Sequence, residues 1–137
     1  MPANVINTYR AWRQALNRRL KYLCVSQASW LTIATAAKAR EPLSQSELAD
    51  NLGVEAASMV AMVDRLVKAG LVIRAPSPSD RRVKRVLLTP AGTLLHDKVR
   101  TEATAFRKQL LANMDRKKLL AATKLLEGLQ DIIDTVP

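Results

Sequence analysis

The stretch Gly70-Leu-Val-Ile-Arg-Ala-Pro-Ser-Pro-Ser-Asp-Arg-Arg-Val-Lys-Arg-Val-Leu-Leu-Thr-Pro90 decides the fold. Residues 71–75 are largely apolar and β-branched, and residues 83–88 mix apolar and basic side chains, so two strands are predicted. The prolines and serines between them prevent a regular ladder, and Arg81 and Arg82 project from the loop. The stretch therefore predicts a β-hairpin with a basic tip.

Two short helices are predicted before this hairpin. Ser44-Gln-Ser-Glu47 is a capping box, in which serine and glutamate satisfy each other's free backbone donors, and its helix should end near Asn51. The apolar spacing of residues 55–69 predicts a second helix, and Gly70 suits a left-handed C-terminal cap. Two helices that meet at a tight turn with a glycine, here Gly53, are typical of a helix-turn-helix.

Longer amphipathic helices flank this centre. Apolar residues recur every three or four positions over residues 5–23, and a helix capped by Ser26 is predicted over residues 26–39. Thr89-Pro90 begins a long helix, and Asp115 caps a last one with a wide apolar face. Because a chain of this length offers little to cover the terminal helices, a partner chain is the simplest cover.

The order of these elements predicts a mainly α protein with a small β-hairpin wing (α+β). We expect one domain over residues 1–137, with a winged helix-turn-helix at 26–89 and dimerisation helices at 1–25 and 90–137. Its recognition helix is predicted at about 55–69 and its wing at about 71–88.

The net charge points to the kind of partner. Twenty-two Lys and Arg residues against 12 Asp and Glu give a formal net charge of +10, which predicts a polyanion. The excess is local, because residues 1–25 hold five basic residues and no acidic one, and residues 76–90 hold four basic residues and one acidic. Nucleic acid and an anionic membrane surface both fit this balance.

Several other classes of protein are disfavoured. No apolar run approaches the roughly 20 residues of a membrane helix, and no signal peptide is visible, so we expect a cytoplasmic protein without a membrane partner. One cysteine, Cys24, and one histidine, His96, exclude an internal disulfide and a His-rich metal site, so no metal or cofactor is predicted. A glycine-rich phosphate loop, a nucleophile elbow and a catalytic triad are missing, so no enzyme is predicted.

Several strings of residues together resemble the MarR family of bacterial transcriptional regulators, over nearly the whole chain. They are Ser44-Gln-Ser-Glu-Leu-Ala49, Val63-Asp-Arg-Leu66, Gly70-Leu-Val-Ile-Arg74, and Asp80-Arg-Arg82 followed by Leu88-Thr89-Pro-Ala-Gly92. Three others, Arg10-x-Trp12-Arg13, Arg19-Leu-Lys21 and Ser26-Gln27-x-x-Trp30, are similar to the SlyA branch. The resemblance implies a homodimer with intertwined terminal helices that binds double-stranded DNA at pseudo-palindromic promoter sites and acts as repressor or activator.

The candidate DNA contacts lie on the hairpin and the two short helices. A helix fits the major groove, and a thin loop carrying arginine can enter the narrow minor groove. We predict insertion of one of Arg81 and Arg82, with the other braced through Asp80 or Asp64; the alternative is a solvated charged loop. The predicted DNA-contacting residues are Ser44, Gln45, Ala57, Ser58, Ala61, Arg65, Lys68, Arg81, Arg82, Lys84 and Arg85, of which Arg65, Lys68, Lys84 and Arg85 are predicted near phosphates.

The recognition helix departs from the resemblance at one position. Ala61 stands where relatives commonly carry an arginine, and a bidentate arginine contributes about 1 to 3 kcal/mol of discrimination for guanine. We therefore predict a lax, A·T-leaning preference that rests on DNA shape and on thymine-methyl contacts by Ala57 or Ala61.

A regulatory site is a further hypothesis. Tyr9, Trp12 and Trp30 could line a pocket between the dimer helices and the winged region, with Arg13 as counter-ion for a small aromatic carboxylate such as the salicylate that relatives bind. The alternative is that the tryptophans belong to the core. Cys24 could sense oxidation, as a cysteine near the first helix does in some members, but its apolar neighbours favour an inert setting.

Met59 and Met62 are predicted to pack the recognition helix against its partner helices, and His96 is predicted to be a plain surface residue. As an alternative function, the basic amphipathic first helix would bind an anionic membrane or a partner protein, with the winged region used for protein interaction.

Overall fold

The computed structural model describes residues 2–137, so Met1, the first residue of the predicted dimerisation segment 1–25, lies outside it. The chain forms two compact units, one that ends at Ala103 and a second over Thr104–Pro137. The helices and strands are α1 (Pro2–Arg19), a 3-10 turn (Leu20–Leu23), α2 (Gln27–Lys38), α3 (Gln45–Leu52), α4 (Ala56–Lys68), β1 (Val72–Pro76), β2 (Lys84–Leu88), α5 (Pro90–Leu111) and α6 (Arg116–Thr135). The predicted fold class, mainly α with a hairpin wing, is confirmed.

Helices begin where side chains can replace missing backbone acceptors. The hydroxyl oxygen of Ser26 accepts from the backbone of Ser29 at 3.1 Å, and Asp115 caps α6 through the amides of the next turn. The capping box is complete, because the Ser44 hydroxyl accepts from the Glu47 amide at 3.1 Å and the Glu47 carboxylate accepts from the Ser44 amide at 2.7 Å. These hydrogen bonds also lower the pKa of Glu47.

The core of the first unit is apolar and joins α2, α3, α4 and the hairpin. Its buried residues are Ile33, Leu48, Ala49, Met59, Met62, Val63, Leu66, Val72 and Val86. Met59 and Met62 therefore pack inward, as their spacing predicted. Burial of large aliphatic side chains at about 1.5 to 3 kcal/mol each makes this cluster the main source of stability of the winged region.

The two strands form an antiparallel hairpin in which Val72 pairs with Leu88 and Pro76 with Lys84. We call residues 77–83 the wing tip. Its turn is closed by backbone bonds, since the Ser77 amide donates to the Val83 carbonyl at 2.8 Å and the Val83 amide donates to the Asp80 carbonyl at 3.0 Å. The segment before α3 joins β2 on its other side through the Val86 amide, which donates to the Leu43 carbonyl at 2.8 Å.

Gly92 lets the start of α5 lie directly on the corner between α4 and β1. A Cβ atom at this position would stand 2.0 Å from the carbonyl oxygen of Leu71, which is backbone and cannot move aside. Thr89 fixes the same corner, because its hydroxyl donates to the Gly70 carbonyl at 2.6 Å and accepts from the Gly92 amide at 3.1 Å. Only glycine fits at position 92.

The first helix is shorter than the spacing of its apolar residues predicted. The α-helix ends at Arg19, and Leu20–Leu23 form a 3-10 turn that closes on Cys24 in the left-handed conformation, with φ at 54°. Cys24 is exposed, which corrects the expectation of an apolar, inert setting. Its apolar neighbours Leu23 and Val25 therefore do not cover it.

His96 is half-buried, which corrects its expected place on the plain surface. Its Nδ1 is buried without a hydrogen-bond partner among the described residues. Loss of solvent around the ring lowers the pKa of His96, and the neighbouring charges of Arg100 and Lys38 act in the same direction, against Asp97.

Apolar side chains remain uncovered in the second unit. None of the α6 residues is buried, and its exposed large apolar residues are Leu120, Leu125, Leu126, Leu129, Ile132 and Ile133. Of the helices in residues 2–137, none combines the length and the hydropathy that a membrane span requires.

Candidate nucleic-acid interface

Helix α4 has one buried face and one exposed face. Met59, Met62, Val63 and Leu66 point into the core, while Ala57, Ala61 and Lys68 are exposed at the four- and seven-residue spacings that keep them on one stripe. Ser58 and Arg65 are exposed on the flank of this stripe. The predicted contact residues of α4 therefore share the exposed side of the helix.

The wing tip presents its two arginines to solvent. Arg81 is exposed, and the side chain of Arg82 is 95% exposed. Asp80 accepts from the Arg82 amide at 3.0 Å and lies 3.6 Å from the Arg82 guanidinium. Asp80 thus organises the turn, and its exposed ion pair with Arg82 is weak enough to be exchanged for another anion.

The basic residues of β2 lie beside the first helix of the helix-turn-helix. Lys84 is exposed and Arg85 is half-buried, and the backbone of Arg85 forms an isolated antiparallel β-bridge with Ser44. Ser44 and Gln45 sit at the start of α3 and are half-buried. The hydroxyl oxygen of Ser44 accepts from the Glu47 amide as the helix cap, which leaves its O–H group able to donate to a DNA phosphate.

Asp64 pairs with a different arginine from the two that we expected. Its carboxylate accepts from the Arg74 guanidinium at 2.5 Å, so it braces β1 and not the wing tip. Arg74 also donates to the Gln45 side-chain oxygen at 2.6 Å. The sequence did not predict these contacts of Arg74. The strand pattern places Arg74 on the inward-facing side of β1, but it does not show which helices lie opposite.

A second ion pair ties the turn after α1 to α5. The Arg19 Nε donates to Glu102 at 2.8 Å, and the Tyr22 hydroxyl donates to the other oxygen of the same carboxylate at 3.1 Å. The hydrogen bond from Arg19 lowers the pKa of Glu102, with Tyr22 adding to the effect. All three residues belong to the first unit, so these contacts fix the end of α1 and the turn after it on the middle of α5.

A cavity of about 490 Å³ lies between α1, α2, α3 and α4. Its lining includes Arg13, Leu31, Thr32, Met59, Met62 and Arg65. The Nε of Arg13 is buried without a hydrogen-bond partner among the described residues, and its Nη1 donates to the Tyr9 hydroxyl. The volume lies in the range of small-molecule sites. The cavity combines apolar walls with two arginines, which suits a ligand with an apolar body and an anionic group.

The aromatic residues predicted for a pocket do not act together. Trp30 is buried with 6% exposure, and its Nε1 donates to the Asn17 side chain at 3.3 Å. The ring therefore belongs to the core, which is the alternative given for the tryptophans, and it is not among the residues that line the cavity. Trp12 is half-buried. Tyr9 is exposed, and the Arg13 guanidinium lies 5.1 Å over its ring.

Comparison with known proteins identifies this arrangement. The MarR family profile matches residues 25–84. The crystal structure of transcriptional regulator PA3341 is 32% identical, with a TM-score of 0.87 over 98% of each chain. The chain belongs to the MarR family. Its fold is therefore that of a MarR-family transcriptional regulator, and the residues matched by the profile contain α2, α3, α4 and β1.

More distant MarR-family structures share the fold. Wild-type MarR from E. coli in its apo form is 23% identical, with a TM-score of 0.83 over 94% of this chain and 95% of that one. CouR from Rhodococcus jostii RHA1, bound to p-coumaroyl-CoA, is 23% identical, with a TM-score of 0.79 over 97% and 91%. These matches do not assign a branch within the MarR family, so the SlyA-like assignment stays a prediction.

Proposed function

We propose that this MarR-family chain is a cytoplasmic, homodimeric transcription factor that binds duplex DNA at pseudo-palindromic promoter sites. In this proposal α4 enters the major groove and the wing tip enters the adjacent minor groove. A two-fold dimer would meet half-sites one helical turn, about 34 Å, apart. The observation that carries the proposal is the pair of exposed arginines, Arg81 and Arg82, on a turn that the backbone itself holds closed.

Sequence discrimination by this protein should be modest. The central exposed residues of α4 are Ala57 and Ala61, whose methyl groups can contact thymine but cannot accept from or donate to a base edge. Arginine in the minor groove responds to the narrow width and negative potential of A·T tracts. The proposed operator is therefore A·T-leaning and tolerant of substitutions.

Recovery of bound fragments from random duplex DNA tests this proposal. We expect enrichment of A·T-rich pseudo-palindromes, and a Lys68→Ala variant should bind all recovered sequences more weakly alike, with the slope of log affinity against log salt reduced by about one. Lys108→Ala, which removes one charge from α5, is the matched control. Strong dependence on guanine in the outer half-sites contradicts the proposed readout, and the recovery of no DNA contradicts the function.

Control by a small anion is a second candidate function. The cavity beside α4 is lined by Arg13, Arg65 and Ser58, and the last two lie on the exposed side of the recognition helix. A ligand seated there would contact α4 from its flank. CouR was crystallised with an acyl-CoA, and we extend to this chain only the idea of an apolar anion as effector.

Salicylate is the probe for this second function. We expect it to raise the thermal midpoint of the wild-type protein and to weaken its DNA binding. Arg13→Met keeps the apolar stem and removes the charge, so it should lower salicylate affinity about tenfold or more, because an unpaired carboxylate would be left in the cavity. Arg10→Met is the control on the same helix. An unchanged midpoint with salicylate in the wild type excludes this effector class.

A further inference from the structure

Arg74 joins three parts of the winged region that the chain order keeps apart. It lies on β1, and its Nε donates to the Gln45 Oε1 at the start of α3 at 2.6 Å. Its Nη2 donates to the Asp64 carboxylate of α4 at 2.5 Å and to the Val60 carbonyl at 3.4 Å. The side chain of Arg74 is 27% exposed, and its hydrogen bond to Gln45 is partly buried whereas those to Asp64 and Val60 are exposed.

We propose that Arg74 is a positioning residue for DNA binding, which aims the Gln45 amide at the DNA backbone and neutralises a carboxylate on the DNA-facing surface of α4. The inference rests on the proposed function and assigns a specific role to a residue that is not itself at the wing tip. It has two independent parts, one for each side chain that accepts from Arg74.

The first part concerns the orientation of Gln45. A glutamine amide has an oxygen that only accepts and an NH2 group that only donates. Because the Arg74 Nε can only donate, it selects the oxygen and leaves the NH2 group turned away. Among the described residues no acceptor bonds this NH2 group. Two donors at the first residue of α3, beside the free amides of that helix, suit a phosphate oxygen.

The second part concerns Asp64. It follows Ala57 by seven residues and Ala61 by three, so it shares the exposed stripe of α4, and its side chain is 60% exposed. A free carboxylate at this position would repel phosphates. The guanidinium of Arg74 cancels its charge and fixes it in place, so the stripe presents no net negative charge to DNA.

Arginine is required because the two acceptors lie on different helices. The planar guanidinium fork donates to Gln45 and to Asp64 at the same time through different nitrogens. A lysine has one nitrogen at the end of a flexible chain and would satisfy one acceptor at the expense of the other. The positioning role therefore predicts that lysine does not replace Arg74.

The test measures affinity for one A·T-rich duplex by fluorescence anisotropy and thermal stability by calorimetry. We expect Arg74→Gln and Arg74→Lys to lower affinity about tenfold or more, whereas Arg100→Gln, an equal charge loss on α5, should change it less than about twofold. In the Arg74→Gln background, Asp64→Asn should recover part of the affinity without recovering the thermal midpoint, because it removes the uncompensated charge and not the lost contacts.

Gln45→Glu separates the effect of the Gln45 side chain on DNA binding from the effect of the Arg74 contacts on stability. The glutamate still accepts from Arg74, so the midpoint should stay within about 2 °C. It has no NH2 group and its carboxylate repels phosphates, so both changes should lower affinity, together about tenfold or more. This variant keeps the test open if Arg74→Gln unfolds. Full DNA affinity of Gln45→Glu, or no recovery of affinity when Asp64→Asn is added to Arg74→Gln, overturns the proposal. In either case DNA binding by the wild type leaves the proposed function intact. Failure of the wild type to bind any duplex overturns the proposed function itself.

Discussion

Replacement of both Arg81 and Arg82 by alanine is expected to lower affinity for an A·T-rich operator about 100-fold or more. Each arginine would lose a contact with the groove or the phosphates, and specific arginine contacts contribute about 1 to 3 kcal/mol apiece. The loss of affinity should be visible in anisotropy titrations at fixed salt as a higher protein concentration at half-saturation of the DNA. Each single variant should show a smaller loss than the double variant.

The substitution of both arginines should leave the fold of the wing tip unchanged. The wing tip is closed by the backbone bonds of Ser77 and Val83, and the Arg82 side chain makes only an exposed contact with Asp80. The thermal midpoint of the double variant should therefore stay within about 2 °C of the wild type, because surface substitutions change stability little.

A matched variant and a second ligand complete the experiment. Arg107→Ala combined with Lys108→Ala removes the same charge from α5 and should leave DNA affinity nearly unchanged. Binding to anionic vesicles tests the alternative function of the basic first helix. That alternative would be favoured if the wild type bound vesicles but no DNA, and if the variant without the wing arginines still bound vesicles. A double wing variant with full DNA affinity contradicts the proposed role of the wing.

Substitution of Leu129 and Ile133 by glutamate is expected to weaken the proposed homodimer about 1000-fold or more. The two residues lie one turn apart on the uncovered face of α6, with 49% and 56% exposure. If a second chain covers this face, two carboxylates would be buried in an apolar interface, and each unpaired charge costs several kcal/mol. Sedimentation should show monomers at micromolar concentration where the wild type is a dimer.

Loss of the dimer should also weaken operator binding. Two linked half-site contacts gain avidity that separate chains do not have, commonly by a factor of about 100 or more. Lys124→Glu is the matched control, because Lys124 lies on a different face of α6 from Leu129 by helical spacing. Unchanged sedimentation of the Leu129→Glu, Ile133→Glu variant means that this face is not the interface, and the assembly proposal would fail.

Local chemistry explains why much of the fold could be predicted from the sequence. Ser26, the pair Ser44 and Glu47, and Asp115 act within one helical turn, so their caps depend on nearest neighbours alone. The hairpin strands were likewise predicted to within one residue at each end, since the turn residues and the change of period mark them. The exposed tip arginines follow from the same local pattern.

Contacts between distant residues could not be predicted in this way. Arg74 and Gln45 are 29 positions apart, and nothing in either segment specifies the partner. The half-buried ring of His96 and the exposed thiol of Cys24 depend on which surfaces approach in three dimensions. The sequence allowed Trp30 to lie either in a pocket or in the core, because spacing along one helix cannot distinguish the two, and its ring fills the core.

A maleimide dye should react at a single place on each chain, because Cys24 is the only cysteine and is exposed. The residue lies between α1 and α2 and outside the lining of the cavity beside α4. A fluorophore can thus be attached to the native sequence without engineering, at one label per subunit. Energy transfer from that label to a labelled duplex would then follow assembly on the operator in real time.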